Sequence, residues 1–332
     1  MILNRRTALL GTLAASLAGT ARGQTPPPAT SASRHMNFPE PSETIDLWPN
    51  GAPGPPARHP TETVRERSTD RSYNDRTVLG ISRPRMAVFR PARPNGAAVL
   101  ITPGGGYSWV VVDKEGYEMA RLLAAQGVTA FVLFYRLPHE GWAAGPNVAL
   151  SDAQRAMRII RHRASRDRID PARLCAMGFS AGGHLCADLL TRFDAPVYQP
   201  VDQADRLSAR PDAAAPIYPV ISMTLPTAHA GSRRNLIGEN APIALERAHA
   251  PHQQARPDAP PTFLLHAEDD RSVVVENTLQ LRAALRAKGV ETETHIFPDG
   301  GHGFGLRLAR GKSVEHWPAL FTAWAKRKGL WS

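Results

Sequence analysis

Short apolar runs of strand length alternate with segments of helical periodicity along most of the chain. Strands are predicted at 44–48, 86–91, 97–102, 128–135, 173–177, 213–221, 261–270 and 291–297, and helices at 115–126, 148–163, 185–190, 275–288 and 314–328. Such an alternation is typical of a mostly parallel sheet with helices on both faces. The first two strands precede the alternation and are expected to be antiparallel. The pattern therefore predicts a doubly wound α/β fold.

One long segment, 222–261, interrupts this pattern. It is rich in proline and shows no strong periodicity. Loops of this length within a compact domain usually carry function. We therefore expect this insertion to form one wall of a substrate cleft. No boundary divides the region around it, so a single domain is predicted over 41–332.

The start of the chain has the pattern of a targeting segment. A twin-arginine pair, Arg5 and Arg6, precedes a mildly apolar stretch at 8–18. This arrangement predicts a twin-arginine signal peptide at 1–23, followed by a flexible leader at 24–40. A plain Sec signal and an uncleaved anchor are the alternatives. The mature protein is expected in the periplasm or the medium, with no membrane association after cleavage.

A serine in a glycine-flanked turn is the first chemical signal. Positions 178–182 read G-x-S-x-G around Ser180, between a predicted strand and a predicted helix. In α/β-hydrolases such a turn presents a nucleophilic serine at the top of the sheet. Gly178 and Gly182 leave room for the strained turn and for close packing of helix on strand. The alternative is a glycine-rich turn with an incidental serine.

Three consecutive glycines, 104–106, directly follow the predicted strand 97–102. Their backbone entropy makes such a run costly unless it serves a purpose. In the same fold, the loop at this place donates backbone N–H groups to an oxyanion. The glycine run thus predicts an oxyanion hole, with a simple tight turn as the alternative.

A serine nucleophile needs a base, and the base needs an orienting acid. His302 lies in a glycine-rich loop after the last predicted strand, and Asp270 lies at the end of the strand before it. The order serine, acid, histidine belongs to α/β-hydrolases. We prefer Asp270 to Asp269, which is expected to cap or brace its loop. His266 is expected to be a packed or hydrogen-bonded histidine.

Taken together, these motifs make the chain resemble bacterial α/β-hydrolases of the acetyl-esterase type, related to acetylxylan and other carbohydrate esterases. The stretches that carry the resemblance are 47–49, 51–53, 103–107, 135–138, 152–156, 178–184, 229–233, 266–270 and 301–305. They span nearly all of the predicted catalytic domain. Their combination is specific for the fold and the triad, and much less specific for the substrate.

The resemblance implies a two-step acyl transfer without metal or other cofactor. Ser180 would attack the ester carbonyl with His302 as base, while Asp270 orients the imidazole. The N–H groups of Gly105, Gly106 and Ala181 would hold the oxyanion. The histidine that usually precedes the glycine run is replaced by proline at position 103, as in the subgroup that the chain resembles.

Two aromatic residues follow the glycine run, and they bear on acyl size. Tyr107 and Trp109 are expected to border the oxyanion loop and close the acyl side of the cleft. This placement predicts substrate contacts by both rings and a preference for acetyl over longer esters. The alternative is that both rings pack into the core.

The substrates implied are acetylated oligo- or polysaccharides, such as xylan or pectin, or small acetyl esters. A general short-chain carboxylesterase, a peptidase of the prolyl-oligopeptidase type and a non-catalytic binding protein are the alternatives. The peptidase is disfavoured because about 40 leader residues cannot build a propeller domain. Glycosidic cleavage is disfavoured because no pair of glycosidase carboxylates is recognisable. The oligomeric state is left open.

Charge and cysteine content narrow the function further. The net charge is +10, which favours acidic substrates such as uronic-acid polysaccharides. The arginines are scattered along the chain, which argues against nucleic-acid binding.

The two cysteines, Cys175 and Cys186, lie on the strand and helix that flank Ser180. Strand and helix rise place them beyond disulfide reach, so two buried free thiols and no metal site are predicted.

Overall fold

An eight-stranded sheet carries the elements that surround Ser180. The structure, a computed structural model, describes residues 39–331. Its strands are β1 Glu43–Asp46, β2 Thr63–Glu66, β3 Arg76–Leu79, β4 Arg85–Phe89, β5 Ala98–Thr102, β6 Val110–Val111, β7 Thr129–Phe134, β8 Leu174–Phe179, β9 Ala213–Ile217, β10 Thr262–Ala267 and β11 Thr292–Phe297. The helices are α1 Glu118–Ala125, α2 Val148–His162, α3 Ala164–Asp167, α4 Ala181–Arg192, α5 Ala230–Ile237, α6 Ile243–Ala248, α7 Glu276–Ala287 and α8 Trp317–Arg327.

The strand order confirms the predicted fold class. The sheet runs β1-β4-β7-β5-β8-β9-β10-β11. The strands β1 and β4 pair antiparallel, as predicted, β4 is also antiparallel to β7, and all later pairs are parallel. Because parallel strands end at the same edge of the sheet, the loops after β5, β8, β9, β10 and β11 gather there.

Complete burial of the central strands explains why this sheet forms. Every residue of β5, β7, β8, β9 and β10 is buried, which requires cover on both faces. On β10, for example, Phe263 packs against Phe321 and Trp324 of α8. The result is a rigid platform beneath the edge where the loops meet.

Three features differ from the prediction. A small sheet, β2-β3-β6, was not predicted, because β2 is exposed at every residue and shows no apolar alternation. The helix predicted at 115–126 begins as a π turn, Asp113–Tyr117. The insertion 222–261 contains α5, α6 and a 3-10 turn, which are too short to give a clear period in sequence.

The predicted signal peptide and most of the predicted leader lie outside the described residues. Residues 39–331 belong to one compact unit. Within that part of the chain, no helix is long and apolar enough to cross a membrane.

Both cysteines are buried free thiols, as predicted. Cys175 on β8 and Cys186 on α4 each donate a weak hydrogen bond to the carbonyl of Ala176. Burial raises the pKa of Cys186 to about 12 and that of Cys175 well above its ordinary value. Thiols in this state are poor nucleophiles, so neither competes with a serine for chemistry.

Candidate active site

Ser180 occupies a strained turn between β8 and α4. Its backbone has φ 54° and ψ −119°, a conformation that few non-glycine residues adopt. A Cβ at Gly178 would lie 2.1 Å from the carbonyl oxygen of Gly182, and one at Gly182 would lie 2.0 Å from that of Thr102. Glycine at both positions therefore lets α4 pack closely enough to hold Ser180 at the edge of the sheet.

The structure brings Ser180, His302 and Asp270 into one hydrogen-bonded chain. Ser180 Oγ lies 2.8 Å from His302 Nε2, and His302 Nδ1 lies 2.6 Å from Asp270 Oδ2. An ionised carboxylate only accepts, so Nδ1 carries the proton and Nε2 is free to accept from the serine hydroxyl. Ser180 therefore has a base, His302, whose orientation is fixed by Asp270.

Asp270 is surrounded by donors that keep it ionised. Its Oδ1 accepts the backbone N–H groups of Ser272 and Val273, and His266 approaches Oδ2 at 3.2 Å. Burial by itself would raise the pKa of Asp270, but hydrogen bonds from His266 and His302 hold it well below its usual value. A permanent carboxylate therefore faces the imidazole of His302.

His266 is a buried, hydrogen-bonded histidine, as the sequence predicts, but its contact with the acid was not anticipated. Its Nε2 lies 2.8 Å from the carbonyl oxygen of Val273, so this nitrogen carries the proton and also points it towards Asp270. Its Nδ1 accepts from the hydroxyl of Thr278. The four-residue spacing to Asp270 is the only signal in the sequence that indicates this contact.

Asp269 stabilises the loop that carries His302 rather than contacting the imidazole. Its Oδ1 accepts the N–H groups of Gly300 and Gly301, at 2.9 and 2.7 Å. This is the bracing role expected from the sequence. The two neighbouring carboxylates therefore have separate tasks.

Unpaired backbone amides lie next to Ser180. Among the described residues, no acceptor takes the N–H groups of Gly105, Gly106 or Ala181. Gly105 and Gly106 have φ +131° and +63°, which only glycine adopts without strain, and Ala181 is the first residue of α4. The three residues thus present free donors beside the serine, which an oxyanion hole requires, and their assignment to that hole remains a prediction.

A buried carboxylate that sequence reasoning missed supports this loop. Glu115, in the π turn, accepts the N–H of Gly104 at 2.9 Å and the hydroxyl of Tyr218 at 3.0 Å. The Tyr218 hydroxyl in turn accepts the N–H of Gly305, and its ring lies edge-on to His302 at 5.3 Å. One carboxylate therefore links the glycine loop to the loop of His302.

The prediction that Tyr107 contacts substrate is wrong. Its side chain is only 1% exposed, and its hydroxyl bonds Nδ1 of His184 at 2.7 Å. The other ring nitrogen of His184 donates to the carbonyl of His249, so Nδ1 accepts from the tyrosine. Tyr107 directly follows the glycine run and has a positive φ of 58°. With this backbone conformation its ring packs into the core. Trp109, by contrast, lines the cleft.

The insertion 222–261 forms a wall of the cleft, as expected. The cleft holds about 340 Å³ and is lined by Ser180, His302, the glycine loop and residues of α5. From α5, Asn235 donates to the carbonyl of Gly106 and to the hydroxyl of Ser108, which fixes the helix against the loop. The insertion therefore contributes helical structure to this wall of the cleft.

His229, directly before α5, is a second histidine in the cleft. Its Nδ1 accepts the backbone N–H of Ser232, so the proton of the neutral ring lies on Nε2. Burial and the nearby His302 lower the pKa of His229. The ring is therefore a neutral donor rather than a second base. No group of three or more His, Cys, Asp or Glu side chains within 39–331 is arranged to hold a metal ion.

The fold and the site together define an α/β-hydrolase with a serine at the nucleophile turn. The chain belongs to the BD-FAE family, whose model matches residues 86–285. This confirms the resemblance stated from the sequence motifs.

Named relatives are esterases and a xylanase. The chain is 34% identical over 225 residues to an acetylxylan esterase of Xylanibacter ruminicola, a match that covers 67% of this chain. It is 32% identical over 285 residues to endo-1,4-beta-xylanase B of Butyrivibrio fibrisolvens, a match that covers 83% of this chain. In both cases it spans only 44% of the relative's length. A solved structure, an acetyl ester-xyloside bifunctional hydrolase from Caldicellulosiruptor lactoaceticus, is 32% identical with a TM-score of 0.71, covering 89% of this chain and 100% of that one. A carboxylesterase from Lactobacillus plantarum shares the fold at 24% identity, covering 82% of this chain and 99% of that one, with a TM-score of 0.63.

Proposed function

We propose that this chain is a serine esterase that removes acetyl groups from carbohydrate, such as xylan or pectin. The observation that carries the proposal is the chain Ser180–His302–Asp270 beside three unpaired backbone amides. Family membership and the names of the relatives support an ester as the substrate. The acetylxylan esterase of Xylanibacter ruminicola supports acetylated xylan in particular.

The mechanism follows from the proton positions. His302 Nε2 takes the proton of Ser180 as Oγ attacks the acetyl carbonyl, and Asp270 stabilises the imidazolium that forms. The N–H groups of Gly105, Gly106 and Ala181 stabilise the negative charge on the carbonyl oxygen. His302 then protonates the departing sugar oxygen. In the second step it activates a water molecule, which releases acetate from Ser180.

The cleft favours ester cleavage over glycosidic cleavage. Among its lining residues, Glu115 is the sole carboxylate, and both of its oxygens already accept hydrogen bonds. Glycosidases of the usual kind need two carboxylates on either side of the scissile bond. We therefore propose ester hydrolysis alone, and release of 4-nitrophenol from a 4-nitrophenyl xyloside would contradict this restriction.

Acyl size tests the proposal, and we expect acetyl esters to be preferred. A Cβ on Gly105 would lie 2.1 Å from the backbone carbonyl oxygen of Trp109 and 2.6 Å from Cδ1 of its ring. The indole therefore lies beside the oxyanion loop. Extra methylenes on that side would overpack the cleft at a cost of about 1–3 kcal/mol. This predicts a kcat/KM that is roughly 5- to 150-fold higher for acetate than for butyrate.

The measurement is kcat/KM over a 4-nitrophenyl ester series from acetate to octanoate. Trp109→Ala should widen the acyl range, whereas Trp109→Phe retains a ring and serves as the matched control. A wild-type optimum at butyrate or longer would favour a general carboxylesterase. Absence of turnover on every ester would favour a non-catalytic binding protein.

For the whole chain, we propose a twin-arginine signal peptide at 1–23, a leader at 24–40 and a catalytic domain at 41–332. Changing Arg5 and Arg6 together to lysine should leave the protein in the cytoplasm, because the twin-arginine route reads that pair. The measurement is the fraction of cleaved protein in the periplasm and medium. Arg22→Lys is the matched control, and unimpaired export of the double variant would indicate the Sec route.

A further inference from the structure

Two basic side chains line the cleft without an acidic partner. Lys114 and Arg234 belong to different elements, the π turn and α5, and both face the hollow that contains Ser180 and His302. Within the described part of the chain, neither has a carboxylate within salt-bridge distance or a side-chain hydrogen bond. Most arginines within 39–331 do have such a partner, whereas the charges of Lys114 and Arg234 remain available to a ligand.

Lys114 lies close to the reacting groups. Its Nζ lies 3.2 Å from the position that a Cβ on Gly303 would occupy. Gly303 directly follows His302 in the chain. The side chain is half-buried, so a negative group that paired with it would be partly shielded from water. Arg234 is exposed, at the outer part of the same cleft. The two positions place positive charge both near the reaction centre and further out.

One neighbouring acid offsets part of this charge. Glu115 is the one carboxylate among the lining residues, but it is buried and bonded to Gly104 and Tyr218, whereas Lys114 is half-buried and Arg234 is exposed, so the two cations are more accessible to a ligand. The third basic residue of the cleft, Arg67, is paired with Asp75 and adds little. Accessible positive charge in a concave surface attracts negatively charged ligands, because the low-dielectric walls concentrate its field. The accessible cations of the cleft therefore favour a substrate that carries a negative group as well as an ester.

From these positions we infer that Lys114 binds a carboxylate of the substrate, borne by a uronic acid close to the acetylated sugar, and that Arg234 attracts this carboxylate from the outer part of the cleft. The inference rests on the proposed esterase function and names its substrate class. We place the anion on the side of the departing sugar, because Trp109 is proposed to restrict the acyl side and Lys114 lies beside Gly303, the neighbour of the histidine that protonates the departing oxygen. The carboxylate can come from a uronic acid within the main chain, as in pectin, or from a branch, as in glucuronoxylan.

Two pairs of substrates test the subsite. The first is an acetylated oligogalacturonide and its carboxyl methyl ester; the second is an acetylated xylo-oligosaccharide with and without a glucuronic acid branch. For each pair, the ratio of kcat/KM for the anionic to the neutral substrate is measured from acetate release. We expect a ratio of about 10 or more at low salt in one pair, which identifies the source of the carboxylate. It should fall towards 1 in about 0.5 M salt, where the Debye length is only a few ångströms.

Charge-removing variants provide the second readout. Lys114→Gln should lower the ratio about 10-fold and Arg234→Gln about 3-fold, because a half-buried charge is less screened than an exposed one. Arg286→Gln is the matched control, since it removes one exposed charge from α7, outside the cleft, and should leave the ratio unchanged.

Three results are decisive. Ratios at or below 1 in both pairs, or an equal drop in Arg286→Gln, would overturn the subsite. Turnover of 4-nitrophenyl acetate in that same case would leave the esterase proposal intact. Failure to hydrolyse any acetyl ester would instead contradict the proposed function.

Discussion

Replacing Ser180 by alanine is expected to lower kcat by about 10⁶-fold while the protein remains folded. The hydroxyl is the atom that lies 2.8 Å from His302 Nε2, and its removal leaves the base without a nucleophile to activate. The fold should persist because alanine keeps the Cβ and the turn is held by Gly178 and Gly182. The measurement is steady-state turnover of 4-nitrophenyl acetate, with circular dichroism and thermal unfolding as checks of the fold.

Ser272→Ala is the matched control for this change. Ser272 also lines the cleft and is exposed, and it contacts Asp270 through its backbone N–H, which alanine retains. Its activity should stay within a few-fold of wild type. Near-native turnover by the Ser180 variant would mean that another group is the nucleophile and would remove the proposed mechanism.

Replacing Asp270 by asparagine is expected to lower kcat by about 10⁴-fold. An asparagine amide would donate to Nδ1 of His302, which shifts the ring proton to Nε2 and removes the acceptor for the serine hydroxyl. The Oδ1 of asparagine can still accept the N–H groups of Ser272 and Val273, so the loop should keep its shape. The loss should therefore appear in kcat rather than in stability.

Asp269→Asn is the matched control at the neighbouring position. An amide oxygen there can still accept the N–H groups of Gly300 and Gly301, so activity should fall by about 10-fold or less. Both variants are assayed for kcat on 4-nitrophenyl acetate and for thermal stability. If Asp269→Asn proves the more damaging change, the acid of the triad has been assigned to the wrong residue.

The local pattern was sufficient where a residue's role depends on its own segment. The turn at Ser180 can be predicted from the sequence because a strained strand-to-helix turn needs glycine on both sides. In the structure, a Cβ added at Gly178 or Gly182 would clash with neighbouring atoms. The parallel sheet is likewise readable, because strands buried on both faces must be almost wholly apolar. Short or exposed elements, such as β2 and α6, have no such requirement and were not predicted.

Side-chain direction in irregular loops was decided by the tertiary structure. The sequence places Tyr107 and Trp109 two positions apart after the glycine run, with nothing to separate their roles. The fold turns Tyr107 inward to His184 and leaves Trp109 in the cleft. Loop dihedrals of this kind follow no period, so no apolar pattern reports which ring is buried.

By itself, the sequence determined the fold class, the glycine loop and the candidates Ser180, Asp270 and His302, since each is recognised from residue types within its own segment. Only the tertiary structure decided that Glu115 joins the loops of Gly104 and His302, and that His266 supports Asp270. The contact of Glu115 with Tyr218 joins residues 103 positions apart, and its contact with Gly104 joins residues 11 positions apart. Which of these side chains meet depends on how the folded sheet brings its loops together at one edge, and apart from the four-residue spacing of His266 and Asp270 the sequence contains no local signal of these contacts.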